Sequence, residues 1–258
     1  MQPYTETFYR TYTEGARSSA RAIVPLISEL VEPKSVIDVG CGTGVWLSVF
    51  KEYGIEDIWG VDGEYVAKET LEIPEERFIP SDLGRPFHSK RKFDLVVSLE
   101  VAEHLPRQSA ETFVGSLTGL GPVVLFSAAI PYQGGSQHLN EQWQGYWADL
   151  FRERGYVGID CLRRRIWSNE EVEFWYCQNT IVFAAQGQLE NHPLLKKEHE
   201  LSYTLPLSVV HPRLYLAQNE KTSLRQRLLG DLKRTVPAGA KKIVRTAMAE
   251  GYRRTLRR

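Results

Sequence analysis

The sequence predicts an α/β layer fold built on a doubly wound, mostly parallel sheet. Three observations carry this. Ser35-Val36-Ile37-Asp38-Val39 is a short apolar, β-branched run that breaks into Gly40-Cys41-Gly42-Thr43-Gly44 and continues as a helix-like segment from Val45 to Lys51. A run of that kind suits a strand buried on both faces of a sheet. Further apolar runs alternate with helical patterns along the chain, the signature of strands covered by helices. Finally, the next strand pattern, Asp57-Ile58-Trp59-Gly60-Val61-Asp62, ends on an acid. In doubly wound sheets an acid about 20 residues past the glycine turn receives a ribose diol.

The elements follow in order. Residues from about Thr7 to Leu30 read as helical from Glu14 on, with Ile23, Leu26, Ile27 and Leu30 on one face and Pro33 as the stop. The glycines after the first strand let the backbone turn sharply and approach a ligand. Dinucleotide sites want G-x-G-x-x-G, but here the glycines fall at 40, 42 and 44, and Val45 occupies the place of the third glycine. Arg77-Phe78-Ile79 gives a third strand, followed by Pro80-Ser81-Asp82-Leu83. The fourth, Phe93 to Leu99, runs straight into Glu100-Val101-Ala102-Glu103-His104-Leu105-Pro106. The fifth, Val123 to Ser127, leads into a loop with Pro131, Gly134, Gly135, Gln137, His138 and Asn140. A helix with Trp143, Tyr146, Trp147, Leu150 and Phe151 follows, closed by Gly155. Two further strands are expected near Val157 to Leu162 and Thr180 to Ala185.

The G-x-G-x-G turn preceded by Asp38 resembles motif I of the class I S-adenosylmethionine-dependent methyltransferases, and F-D-L-V followed by E-V-x-E-H-L is a second match in the same order. The resemblance covers roughly residues 20 to 186. It implies a Rossmann-like seven-stranded sheet with an antiparallel last strand, and S-adenosylmethionine as cofactor. The cofactor residues carried over are Asp38, Gly40, Cys41, Gly42, Gly44, Leu99 and Glu100 around the turn and fourth strand, Asp62 for the ribose, and Asp82 and Leu83 for the adenine. Tyr9 and Arg17 become lid contacts by the same resemblance, against the plainer reading of surface residues on a packing helix.

Methyl transfer from a sulfonium is a displacement in line with the leaving sulfur, so the protein must align donor and acceptor and sometimes remove the acceptor's proton. Glu100, Glu103 and His104, together with His138, are the candidates for handling the acceptor. If helical, positions 100, 103 and 104 share a face at the carboxyl end of a central strand, where open α/β sheets bind ligands. Two carboxylates and imidazoles suit a divalent ion such as Mg²⁺ or Mn²⁺. The E-x-x-E-H run looks like that of the ubiquinone-biosynthesis O-methyltransferases and the small-RNA 2′-O-methyltransferases, in which it is a metal site completed, in the latter, by a downstream histidine such as His138. Two other readings stay open: a metal-free His104 that acts as base or orients the acceptor, and a structural histidine. The aromatic residues Trp143, Tyr146, Trp147, Trp167, Trp175 and Tyr176 are either core or an aromatic wall for a sugar or ring.

At 258 residues with 42% hydrophobic content, the chain builds one sizeable core and an appendage. A methyltransferase domain over residues 1–186 and an extension over 187–258 are expected. From Lys221 onward twelve Lys or Arg face only Asp231 and Glu250, whereas the rest carries 20 basic and 30 acidic residues behind a formal net charge of zero. Residues 187–220 lack periodicity and read as irregular. Leu224, Leu228, Leu232 and Val236, then Ile243, Val244, Ala247 and Met248, form two basic amphipathic helices suited to an anionic membrane surface. Nucleic acid is the competing partner, without a base-stacking motif, and packing on the domain is the plain alternative.

Cys41, Cys161 and Cys177 form no C-x-x-C pair, so no disulfide framework or thiolate metal site is expected. With no signal-like start and no apolar run approaching about 20 residues, the chain reads as cytosolic and soluble. The expected activity is O-methylation of a glycan or other small-molecule hydroxyl. A metal-free small-molecule methyltransferase, a nicotinamide oxidoreductase and a non-catalytic cofactor-binding module are the alternatives.

Overall fold

Strands that read as unbroken apolar runs lie between two helical layers, and successive side chains feed them alternately. In the computed structural model, which describes residues 6–220 and 222, with side chains from Thr13 onward, a seven-stranded sheet has the order β3-β2-β1-β4-β5-β7-β6. The strands are β1 Ser35–Val39, β2 Asp57–Asp62, β3 Phe78–Pro80, β4 Leu95–Leu99, β5 Val123–Ser127, β6 Tyr156–Ile159 and β7 Ile181–Ala185. Strands β3, β2, β1, β4 and β5 pair in parallel, whereas β7 is antiparallel to both β5 and β6, as the resemblance implied.

One layer packs Val36, Leu95, Val97, Val123, Leu125 and Val182 against α1 (Glu6–Val31) and α2 (Val45–Glu52). The other packs Ile37, Val39, Val96, Val124, Phe126 and Phe183 against α3 (Ala110–Leu120) and α4 (Gln144–Arg152). Odd and even strand positions therefore serve opposite faces, which is why alternation with polar residues is missing from the sequence. The short helices α5 (Arg163–Ile166) and α6 (Phe174–Asn179) link β6 to β7.

One open alternative is decided here and one expectation is corrected. Helix α4 begins after Trp143, and its aromatics are core: Trp147 and Phe151 are buried against Phe126, with Phe151 stacked on Phe183 at 3.9 Å. The stretch expected to be irregular contains helix α7, Pro193–Ser202, started by a proline in its first turn. The compact unit that holds the sheet runs to His211, well past residue 186, and a second unit comprises Pro212–Arg258. Residues 212–220 of that second unit are helical, while the two basic helices expected beyond them lie outside the described residues, as does the side chain of Tyr9. Among the described residues no helix is long and apolar enough to cross a membrane.

Candidate active site

Parallel pairing brings the carboxyl ends of β1, β2 and β4 side by side, and the turns that leave them line a cleft of about 800 Å³. At Gly40, φ is +90°, and a Cβ would lie 2.3 Å from Cγ2 of Val101, so the turn needs glycine both for its left-handed backbone and for the close approach of the chain leaving β4. The Gly40 and Cys41 N–H groups donate to the Val61 carbonyl, at 2.7 and 3.2 Å. The Gly42 N–H donates to Oδ2 of Asp62 at 2.7 Å. The other Asp62 oxygen accepts from the Gly63 N–H and the Tyr65 hydroxyl. This acid therefore ties the end of β2 to the glycine turn and faces the cleft.

Of the expected cofactor residues, Gly40, Asp62, Asp82, Leu83 and Glu100 line the cleft. Asp38, Cys41 and Leu99 are buried behind it, and Gly42 and Gly44 shape the turn at φ +53° and +88° without lining the cleft. Burial, then the neighbouring Asp62 charge, pushes the Asp38 carboxyl well above its ordinary value. Burial and the same two acids raise the Cys41 thiol, which leaves it inert. Asp82 caps its own turn by accepting from the Gly84 N–H at 2.9 Å. Arg17 is a packing residue rather than a lid contact: it bonds Ser48 at 3.0 Å and Glu72 and does not line the cleft.

The chain after β4 is not the helical face that the spacing suggested. Glu100 adopts a left-handed conformation, φ +55°, with its N–H donating to the Ser127 carbonyl at 3.0 Å, and a single 3-10 turn follows at Ala102–His104. That kink carries Glu100 out of the cluster of Glu103 with the two histidines, although its carboxyl still faces Glu103. The Glu100 carboxylate accepts from the amides of Gln133 and Asn179, each at 3.0 Å. Gln178 backs this clamp, donating to Oε1 of Gln133 at 3.0 Å while its own oxygen accepts the His211 N–H at 2.8 Å.

Glu103, His104 and His138 converge instead, with one ligand-capable atom from each lying within 4.8 Å of the others. Glu103 is buried, His138 half-buried and His104 exposed at the rim. The Glu103 carbonyl accepts the Leu139 and Asn140 N–H groups at 2.7 and 2.9 Å, which docks the loop after β5 and delivers His138. The two imidazoles meet edge to face at 4.9 Å. Neither carboxylate oxygen of Glu103 has a hydrogen-bond partner in acceptable geometry among the described residues. Its pKa is raised well above normal by burial and then by the Glu100 charge. The imidazole of His104 is lowered, first by loss of water and then by His138, which favours its neutral form.

A buried carboxyl beside two imidazoles is a donor set that could hold a divalent cation. Without Glu100 in the group, the set is richer in nitrogen than the one expected, and suits Mn²⁺ or a later transition ion better than Mg²⁺. His138 Nδ1 lies 2.9 Å from Oε1 of Glu141. Although burial opposes it, hydrogen bonds from His138, Gly134 and Tyr132 hold the Glu141 carboxyl below its usual value.

Sequence reasoning missed Gln133, Asn179 and Glu141. The available signals were Glu141 three residues after His138, and the adjacent amides Gln178 and Asn179, both buried, before an apolar strand. The aromatic wall is not assembled: Tyr176 packs on Trp46, Trp167 packs on His211, and Trp175 alone of the six lines the cleft.

Residues 12–113 match the family model described as a methyltransferase domain. Those residues hold β1 to β4, the glycine turn and the E-x-x-E-H run. Among solved structures, the chain is similar to the methyltransferase domain of the bacterial CtHen1, at 22% identity over 65% of this chain and 98% of that one, with a TM-score of 0.47. DesVI of Streptomyces venezuelae aligns at 25% identity over 50% of this chain and 58% of that one, TM-score 0.40. Magnesium protoporphyrin IX methyltransferase from Synechocystis, with bound SAH, aligns at 16% identity over 66% and 82%, TM-score 0.47. No curated protein matches the chain.

Proposed function

We propose that this methyltransferase carries the methyl group of S-adenosylmethionine to a hydroxyl oxygen of an uncharged small-molecule or glycan acceptor, assisted by a divalent cation at Glu103, His104 and His138. The carrying observation is the buried carboxyl of Glu103, which meets two imidazoles in the same cleft that opens on the glycine turn. In the transfer the acceptor oxygen forms a bond to the methyl carbon, and the carbon–sulfur pair leaves with sulfur as a neutral thioether. The acceptor's proton must go to a base, and His104, neutral near pH 7 and at the rim, is placed to take it. A bound cation would lower the pKa of the acceptor hydroxyl.

The cleft's charge supports an acceptor without phosphates. Asp62, Asp82, Glu100 and Glu103 line it, with no Lys or Arg among the described lining residues. Such walls favour the cationic cofactor and disfavour a polyanion. Trp175 lines the same cleft and offers a ring face suited to a phenol or sugar.

The test pairs cofactor calorimetry with methyl transfer to catechol and sugar panels, with EDTA or with Mn²⁺. His104→Ala is expected to leave cofactor affinity unchanged and to lower transfer by about 10²-fold or more. Unchanged turnover would remove the histidine from the reaction, and full activity in EDTA would leave the acid–base role of His104 without a cation.

A further inference from the structure

Glu141 receives three donors from one loop. Its Oε1 accepts the Gly134 N–H at 2.9 Å and lies 2.9 Å from Nδ1 of His138; its Oε2 accepts the Tyr132 N–H at 2.8 Å. Two non-glycine residues of the same loop, Tyr132 and Gln137, hold left-handed backbones at φ +68° and +60°, so the loop's shape is imposed by these bonds and not by local preference. Gly135 leaves room for the ring, since a Cβ there would fall 2.1 Å from Nε2 of His138. A carboxylate that only stapled the loop would need the two backbone donors; the third is the ring nitrogen.

We propose that Glu141 is the positioning residue of the cluster, fixing His138 as its Nδ1–H tautomer so that Nε2 presents a lone pair as a ligand or proton acceptor. The proposal rests on the functional reading of Glu103, His104 and His138. An ionised carboxylate accepts and never donates, so the hydrogen on Nδ1 is compulsory while Glu141 is charged. The neutral ring then carries no hydrogen on Nε2. Histidine ligands to metals commonly have their second nitrogen held this way. The same carboxylate grips the backbone N–H of Tyr132, a residue 82% exposed, and that of Gly134 in the cleft wall, so ring orientation and loop shape share one anchor.

The test uses the full chain, free of cofactor and metal, with ¹⁵N-labelled histidine, the His138 signals being assigned by their loss in His138→Gln. Long-range ¹⁵N–¹H correlation spectra report which ring nitrogen bears the hydrogen. The wild type is expected to show the Nδ1–H form, and Glu141→Ala to revert to the Nε2–H form that free imidazole favours. Glu141→Gln, which keeps a carbonyl acceptor, is expected to restore Nδ1–H. An Nε2–H signal in the wild type overturns the proposal whether or not Glu141→Ala folds, and so does an unchanged tautomer in a folded Glu141→Ala. Mn²⁺ titration followed by electron paramagnetic resonance forms a second arm, with affinity expected to fall about 10- to 100-fold in Glu141→Ala; unchanged affinity overturns the link to the cluster. A wild type that binds no Mn²⁺ refutes the cation reading instead, and the tautomer then decides the role of Glu141.

Discussion

Gly40→Ala probes the joint between the cofactor turn and the acceptor side of the cleft. The new Cβ would sit 2.3 Å from Cγ2 and 2.7 Å from Cγ1 of Val101, and the residue must hold φ +90°. The left-handed backbone costs about 1–2 kcal/mol for a residue with a Cβ, and forcing a methyl into a packed site costs about 1–3 kcal/mol more. A loss of about 2–5 kcal/mol in unfolding free energy is expected from the two together. Val101→Ala alone removes two carbons from a buried side chain, for about 2 kcal/mol. In the double variant the methyl added at position 40 enters space that the valine vacated, so the backbone cost remains while the clash is relieved. The pair should therefore be less destabilised than the sum of the singles by about 1–3 kcal/mol. Urea unfolding of the four proteins measures this, and calorimetric titration of S-adenosylmethionine should show the single Gly40→Ala variant weakened most. Strict additivity, or a Gly40→Ala variant within about 0.5 kcal/mol of wild type, would refute the claim that Val101 closes on the turn.

Arg163 is 2% exposed and bonds Asp160 at 2.6 and 2.9 Å and the carbonyls of Gln178 and Leu207 at 3.1 and 2.7 Å. Arg163→Ala strands an acid and two carbonyls, with an expected cost of about 3–5 kcal/mol by urea unfolding. Arg163→Lys should recover only part of it, because an ammonium cannot reproduce the fork. Asp57 is held below its ordinary 3.8, first by its hydrogen bond from Arg91 and against a small cost of burial. Its folded pKa lies below the unfolded one, so its contribution is complete above pH 3.8 and disappears as pH falls through the folded value. Since the pair is about a third exposed, the contribution stays within about 1 kcal/mol; Asp57→Asn should flatten the acid limb of a stability–pH curve and leave its neutral region within that margin.

The sheet was legible because burial on both faces writes itself as uninterrupted Val, Ile and Leu, and β1, β2 and β5 began and ended within a residue or so of their apolar runs. The glycine turn and Asp62 were legible because backbone geometry dictates residue type there. The acceptor side was only half legible. His104 and His138 could be paired from their chemistry, but the kink at Glu100 uses a residue that local preference would not place at positive φ. Nothing in E-x-x-E-H announces that its first acid turns to Gln133 and Asn179, since those amides arrive from the loop after β5 and the entry to β7. The aromatics left two readings open for a related reason: a Trp or Phe at helical spacing gives the same pattern whether it faces a ligand or Phe183, and only the tertiary partner separates the two.

The Gln178 side chain joins two places that the sequence holds far apart. One end of its amide touches Gln133 in the cleft wall, and the other receives the backbone of His211, the last residue of the compact unit. Anyone cutting the gene to obtain the catalytic part alone would be drawn to residue 186, where the last strand has just finished. A protein trimmed there would lose helix α7 and the His211 partner, leaving a buried amide oxygen unsatisfied behind Gln133, whose own amide holds Glu100. The safe cut lies beyond His211, and a shorter fragment that binds cofactor yet fails to turn over would be reporting the missing brace and not a missing catalyst.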